Sequence, residues 1–393
     1  MRFLQDLSLS AVVAGLVAVL VAFSSSAVIV FQAARALGAT DAEIGSWMLA
    51  LGVAIGVTSI GLSLRYRVPV LTAWSTPGAA MLVTSVSGVT MPQAIGAFMV
   101  CAALIVLVGA TGWFERAMAR IPVNLGAAML AGVLLRFGLD AFASLETQFV
   151  LVGTMLLTYL VARRFWPRYA IPLVLAVGVA VVALQGQLNT SGLHVALARP
   201  VFVMPELSLP ALASVALPLF IVTMASQNVP GVAVIRAAGY DPPISPLITW
   251  SGFSALVLAP FGAFAMNLAA IVAAIGMGKD AHDDPAKRYV SGVSFGAFFI
   301  AFGLLGATVA SVFSVFPKEM VFALAGLALL NTIGSGLASA VHDENRREPA
   351  LVTFLVTASG LHLLGIGAAF WGIVAGLLAS LILHAPLRNE GAA

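Results

Sequence analysis

The chain is 393 residues long, with 61% of them apolar and only 9% charged, and its mean hydropathy is +1.06. A soluble domain carries about 25% charged and 45–50% apolar residues, so a water-facing globule and a disordered chain are both excluded. A formal charge of +3 is too small for a nucleic-acid surface, and a single cysteine, Cys101, excludes an intrachain disulfide and a cysteine-built metal cluster. What remains is an all-α polytopic membrane protein embedded in a lipid bilayer. A helical span takes about 20 residues, and about fourteen of them leave only short loops, with no room for a soluble domain of ordinary size.

In chain order, the apolar runs predict spans over 9–34, 42–64, 69–86, 92–112, 121–139, 147–164 and 169–185. A second set follows over 209–234, 244–259, 260–277, 289–313, 319–339, 348–364 and 366–384. The first run is too long for a signal-peptide core and lacks a small-residue cleavage site, which makes it a retained span. With a cytoplasmic N-terminus, every Lys and Arg except Arg35, Arg136, Arg199 and Lys318 falls on the cytoplasmic side, as the positive-inside rule demands. Omitting one span would scatter that pattern, so both termini are expected in the cytoplasm.

The halves 1–190 and 205–385 match weakly but in order. Leu7-Ser8-Leu9 recurs as Leu207-Ser208-Leu209, Arg35-Ala36-Leu37-Gly38 as Arg236-Ala237-Ala238-Gly239, Trp47 as Trp250, and Pro69 as Pro260. Seven spans per half is an odd number, so the second half enters the membrane from the opposite side. The expected fold is two inverted seven-span repeats, fourteen transmembrane elements in all, with the third and tenth discontinuous. Their polar interruptions are Pro69-Val70-Leu71-Thr72-Ala73-Trp74-Ser75-Thr76-Pro77-Gly78 and Pro260-Phe261-Gly262-Ala263-Phe264-Ala265-Met266-Asn267. Irregular backbone at membrane depth is tolerated only inside protein or along a cavity, which places the expected site between these two elements.

Two further polar stretches lie in apolar surroundings: Ser24-Ser25-Ser26 in span one and Ser226-Gln227-Asn228, ahead of Val229-Pro230-Gly231, in span eight. Serines can bond their own helix carbonyls, but three consecutive polar groups before Pro-Gly exceed what one helix satisfies, so span eight is the stronger candidate. Half-helices starting after Ser75-Thr76 and after Met266-Asn267 would point their N–H groups and positive dipole ends at one cavity, a geometry suited to a carboxylate. Trp74, Phe261, Phe264 and Met266 would line an apolar box.

Spans one to four and eight to eleven have no Asp, Glu, Lys or His at mid-depth, so no side chain there is an evident proton carrier. Arg136 and Asp140 read as a helix-end ion pair, and His282-Asp283-Asp284 as a solvated turn. Gly52/Gly56 and Gly292/Gly296 mark close helix contacts. No Ser-His-Asp, HExxH or P-loop pattern occurs; neither an enzyme, a metal nor a cofactor is expected.

At Ser24-Ser25-Ser26-Ala27-Val28-Ile29-Val30-Phe31-Gln32-Ala33-Ala34, Thr76-Pro77-Gly78-Ala79-Ala80 and Ala225-Ser226-Gln227-Asn228-Val229-Pro230-Gly231, followed by Arg236-Ala237-Ala238-Gly239-Tyr240, the sequence resembles the bacterial benzoate–proton symporters of the BenE type. That family is distantly similar to the nucleobase–ascorbate and sulfate/anion transporters. The resemblance implies a bacterial inner-membrane importer of a small aromatic carboxylate and a proton. It implies a core domain (about 9–112 and 209–313) sliding against a gate domain (about 121–185 and 319–384) as an elevator. In the nucleobase branch, glutamates in spans eight and ten hold substrate; Ser226 and Met266 stand at those places here, while Asn267 keeps its type, which argues against a nucleobase. The candidate substrate site is Ser25, Trp74, Ser75, Thr76, Ser226, Gln227, Asn228, Phe264, Met266 and Asn267. An uncoupled uniporter for another small organic anion is the alternative, and a homodimer is compatible with the sequence.

Overall fold

The computed structural model describes residues 5–86, 88–114, 123–187, 196–279, 281–308, 315–361, 363 and 368–383. Each predicted span corresponds to a helix or a broken element. α1 (Leu9–Ala36) is capped by Ser8, whose Oγ accepts from the Ala11 N–H at 3.2 Å, and bends by 43° between Phe23 and Ser26. α2 (Asp41–Tyr66) starts from a reciprocal cap of Thr40 and Glu43, which satisfies donors that the first turn leaves open. β1 (Thr72–Trp74) leads into α3 (Thr76–Ser85), and α4 (Met91–Ala110), α5 (Val123–Ala143), α6 (Phe149–Phe165) and α7 (Ala170–Leu184) complete the first half.

The second half contains α8 (Leu209–Arg236), α9 (Ile244–Leu258), β2 (Met266–Leu268) and α10 (Ile271–Met277), then α11 (Tyr289–Leu304), α12 (Lys318–Val341), α13 (Arg347–Ala358) and α14 (Ala368–Leu383). Among the described residues six helices are long and apolar enough to cross a membrane, seven counting the bent α1. Phe149 and Leu157 on α6, Trp250 on α9 and Leu381 on α14 are exposed, as lipid rather than water would require.

The structure departs from helices alone at one place: β1 and β2 pair antiparallel, with Thr72 opposite Leu268, Ala73 opposite Asn267 and Trp74 opposite Met266. Two breaks in two membrane-embedded elements leave backbone donors and acceptors that lipid cannot satisfy, and pairing the breaks with each other closes both. A second departure concerns Pro260. It ends α9 in a 3₁₀ turn (Ala259–Phe261) rather than opening the next element. Gly262 follows with φ +102°, where a Cβ would overlap the Trp47 ring, so only glycine fits that turn.

The longest contacts run between the halves: α2 packs along α11, α4 along α9 and α5 along α12. The glycine spacing seen in the sequence acts here. A Cβ on Gly56 would meet the Gly296 carbonyl oxygen at 2.7 Å, and one on Gly296 would meet the Gly56 carbonyl oxygen at 2.6 Å. These backbones touch without side chains between them. Gly61, five residues on in α2, has open space around it.

Gly56→Val is therefore expected to lower stability by about 1–3 kcal/mol or more through overpacking. Gly61→Ala should be neutral or gain up to about 1 kcal/mol from helix propensity. Thermal unfolding of the two variants in detergent checks the contrast.

Candidate functional site

The paired strands are held from two sides by buried polar groups. On one side, α2 presents a row of hydroxyls. Ser59 Oγ accepts from the Thr72 N–H at 3.0 Å, Ser63 Oγ accepts from the Val70 N–H at 3.0 Å, and Thr58 Oγ1 lies 2.6 Å from Thr72 Oγ1. On another side, Asn228 Oδ1 of α8 accepts from the Leu268 N–H at 2.9 Å. The ladder continues past its ends, with the Ser75 N–H donating to the Ala265 oxygen at 2.9 Å and the Ala269 N–H to the Leu71 oxygen at 2.8 Å.

α8 stays helical through Ser226-Gln227-Asn228. Residues 224–228 form a π turn, as do 212–216. A π turn widens the helix by one residue and alters the direction of its side chains. Here Ser226 Oγ bonds back to the Val222 oxygen at 2.5 Å, Asn228 turns inward to β2, and the Gln227 side chain forms no hydrogen bond with another described residue.

Beside the strands lies a cavity of about 590 Å³, within the usual range for small-molecule sites. One wall is built by Ser26, Trp74, Thr76, Ser226, Gln227 and Phe299, with Ala269 and Ala270 just ahead of α10. The opposite wall comes from α6, the start of α7 and α12, and carries Tyr159, Arg163, Ile171, Pro172, Asn331 and Ser335. Trp74 is fixed there. Its Nε1 donates to Ser26 Oγ at 3.0 Å, and its ring meets Phe23 at 5.3 Å and Phe299 at 5.4 Å, both edge-on, the preferred geometry for aromatic pairs.

The cavity thus gathers Trp74, Thr76, Ser226 and Gln227 of the expected site and leaves the rest behind. Ser75 is buried as the cap of α3, its Oγ accepting from the Gly78 N–H at 3.1 Å and from Thr223 Oγ1 at 3.0 Å. Pro77 has no N–H, so the Thr76 N–H is the remaining donor of that first turn. Asn228 anchors β2. Met266 and Asn267 are fully buried in β2, and Phe264 packs 6.0 Å from Trp47 and 6.1 Å from Phe98, away from Trp74. The second half-helix begins at Ile271, four residues beyond Asn267, because those residues extend the strand first. The Ser25 side chain lies outside the described residues.

Phe299, Tyr159, Arg163, Asn331 and Ser335 were not among the expected site residues. The signal for the last four is present in the sequence as two polar i,i+4 pairs, Tyr159/Arg163 and Asn331/Ser335, each on one face of its span. A second cleft, of about 610 Å³ between α2 and α9, is lined mostly by apolar side chains such as Val53, Val57, Phe253 and Val257, with Thr58, Arg65, Tyr66 and Ser254 among them.

Among known proteins, the benzoate membrane transport protein family (BenE) matches residues 5–382. The chain is 51% identical over 371 residues to the inner membrane protein YdcO of Escherichia coli, covering 94% of this chain and 95% of that one. It is 42% identical over 382 residues to the benzoate membrane transport protein of Acinetobacter baylyi, covering 97% of each. Among solved structures, the transmembrane domain of a cyanobacterial bicarbonate transporter, BicA, aligns with TM-score 0.60 at 12% identity, over 94% of this chain and 97% of that one. SLC26A9 aligns with TM-score 0.59 at 13% identity, over 94% and 65% respectively. At those identities the likeness is one of fold.

Asn228→Leu should cost about 1–3 kcal/mol by leaving the buried Leu268 N–H without its acceptor, whereas Gln227→Ala should stay within about 0.5 kcal/mol of the parent chain. Thermal melting of the two variants distinguishes the strand anchor from the cavity-lining neighbour.

Proposed function

The chain belongs to the benzoate membrane transport protein family, and from that premise we propose that it imports benzoate or a related aromatic carboxylate together with a proton, as a secondary active transporter. It is a membrane transporter rather than an enzyme. The observation that carries the substrate reading is the cavity at the paired breaks, which combines an aromatic wall with uncharged polar groups. The substrate ring packs against Trp74 and Phe299, while its carboxylate meets the Thr76 N–H at the start of α3 and the Gln227 amide. The positive ends of two helices favour the negative charge there.

The described residues lining the cavity include no Asp, Glu or His. The proton therefore travels on the substrate acid, or on a loop group brought near during movement. The same observation favours one second reading, an uncoupled uniporter for a small organic anion.

The movement proposed is an elevator. α1–α4 and α8–α11 form the carrying core and α5–α7 and α12–α14 the gate, within two inverted seven-span repeats. Support for the repeat comes from packing. Replacing each element by its counterpart in the other half exchanges the α2–α11 contact with α9–α4 and α6–α7 with α13–α14, and returns α5–α12 and β1–β2 to themselves. Support for the elevator comes from the cavity, whose two walls divide along the same line. The inner membrane of a bacterium, named for the Escherichia coli relative, is the proposed location, with both termini cytoplasmic.

Proteoliposomes under an imposed inward proton gradient are expected to accumulate labelled benzoate above the level of empty liposomes, and a protonophore should abolish the accumulation. No uptake refutes the transport reading, and protonophore-insensitive uptake at a fixed substrate gradient selects the uniporter. Gln227→Ala should raise the KM for benzoate by about tenfold, the loss of one hydrogen bond to a charged group.

A further inference from the structure

We infer that Arg163, held in place by Asn331, is the cation that recognises the substrate carboxylate in this cavity, and that it discriminates a carboxylic acid anion from its neutral amide. The inference rests on the reading that the cavity admits an aromatic carboxylate. Arg163 lies in the last turn of α6 and lines the cavity. Its Nη2 donates to Asn331 Oδ1 of α12 at 3.0 Å, and among the described residues no Asp or Glu lies within ion-pair distance of it. A guanidinium carries five N–H donors, so one bond to an amide oxygen orients the group and leaves most of its donors for a ligand.

A cation at the end of a helix has an ordinary explanation, since it complements the helix dipole and follows the positive-inside rule. The adjacent residue shows what that role alone looks like. Arg164 stacks over the Phe165 ring at 5.6 Å and does not line the cavity. Arg163 instead faces the space opposite Trp74, Thr76 and Gln227, among Pro167, Ile171, Pro172 and Ala328. Arg163 is exposed, which leaves its remaining donors open to a ligand, and the planar fork fits both carboxylate oxygens at once. Among the described residues no other charged side chain lines this cavity.

Arg163 is carried by the wall that the proposed core moves past, so it meets the substrate only while the cavity faces its side. It therefore governs capture more than translocation, and its loss should appear in KM rather than Vmax.

The test measures benzoate uptake in proteoliposomes, with benzamide as competitor, for the parent chain and variants checked by size exclusion and thermal melting. Arg163→Gln is expected to raise the KM for benzoate about tenfold or more, keep Vmax within about twofold, and bring benzoate and benzamide to similar apparent affinities. Arg163→Lys should recover part of the preference, since it restores the charge without the fork. Asn331→Asp should mimic Arg163→Gln by pairing the guanidinium internally, which keeps the idea falsifiable if Arg163→Gln does not fold. Arg164→Gln should leave both constants unchanged. If Arg163→Gln and Asn331→Asp both retain the parent KM and the preference for benzoate, the inference is overturned. If the parent chain itself takes up no benzoate, the proposed function fails and the inference falls with it.

Discussion

The antiparallel pairing of Thr72–Trp74 with Met266–Leu268 is the constraint on which the rest of the molecule depends. Backbone that is not helical cannot face lipid, and each of these segments alone would leave several N–H and C=O groups without partners. Paired, they satisfy one another, and the hydroxyls of Thr58, Ser59 and Ser63 with the amide of Asn228 satisfy what pairing leaves over. A buried network of this kind is stable only when its members are nearly all bonded. Within it the fully buried Asn267 Oδ1 is an exception, with no partner among the described residues.

That closure has consequences for position. Because Ser75 continues the ladder and then caps α3, the start of α3 is set relative to β2 from the other half of the chain. Because Trp74 ends β1, its indole reaches Ser26 at the bend of α1 and forms the aromatic wall with Phe299. The π turn in α8 separates two roles among consecutive residues, sending Asn228 to the strand while Ser226 and Gln227 border the cavity. Structural and ligand-facing polar groups are thus interleaved in sequence and sorted by backbone geometry.

The cavity is asymmetric in charge. The wall carrying the breaks has hydroxyls, an amide and helix starts, while the opposite wall has one guanidinium tied to an amide. In the proposed mechanism the moving part then holds its substrate without a fixed charge of its own. Carrying a net charge across a low-dielectric barrier is costly, and a neutral core bound to a protonated acid crosses as an uncharged unit.

Much was legible from residue order alone. Composition placed the chain in a membrane, apolar runs located the helices and the two broken elements to within a few residues, and Gly56 and Gly296 announced the close helix contact because small-residue spacing is a local signal. Ser75 and Thr76 ahead of Pro77 announced a helix start, since capping chemistry is local too. The Ser226-Gln227-Asn228 run stood out because polar groups in apolar surroundings need partners. What those partners are was decided by tertiary structure: Asn228 and Asn267 serve the strand pair, Phe264 joins Trp47 and Phe98, and Arg163, which in the sequence only marks the cytoplasmic side, lines the cavity. A sequence records which groups cannot face lipid; which side chain or strand completes each depends on elements some 150 to 200 residues away meeting in space, and no local pattern encodes that.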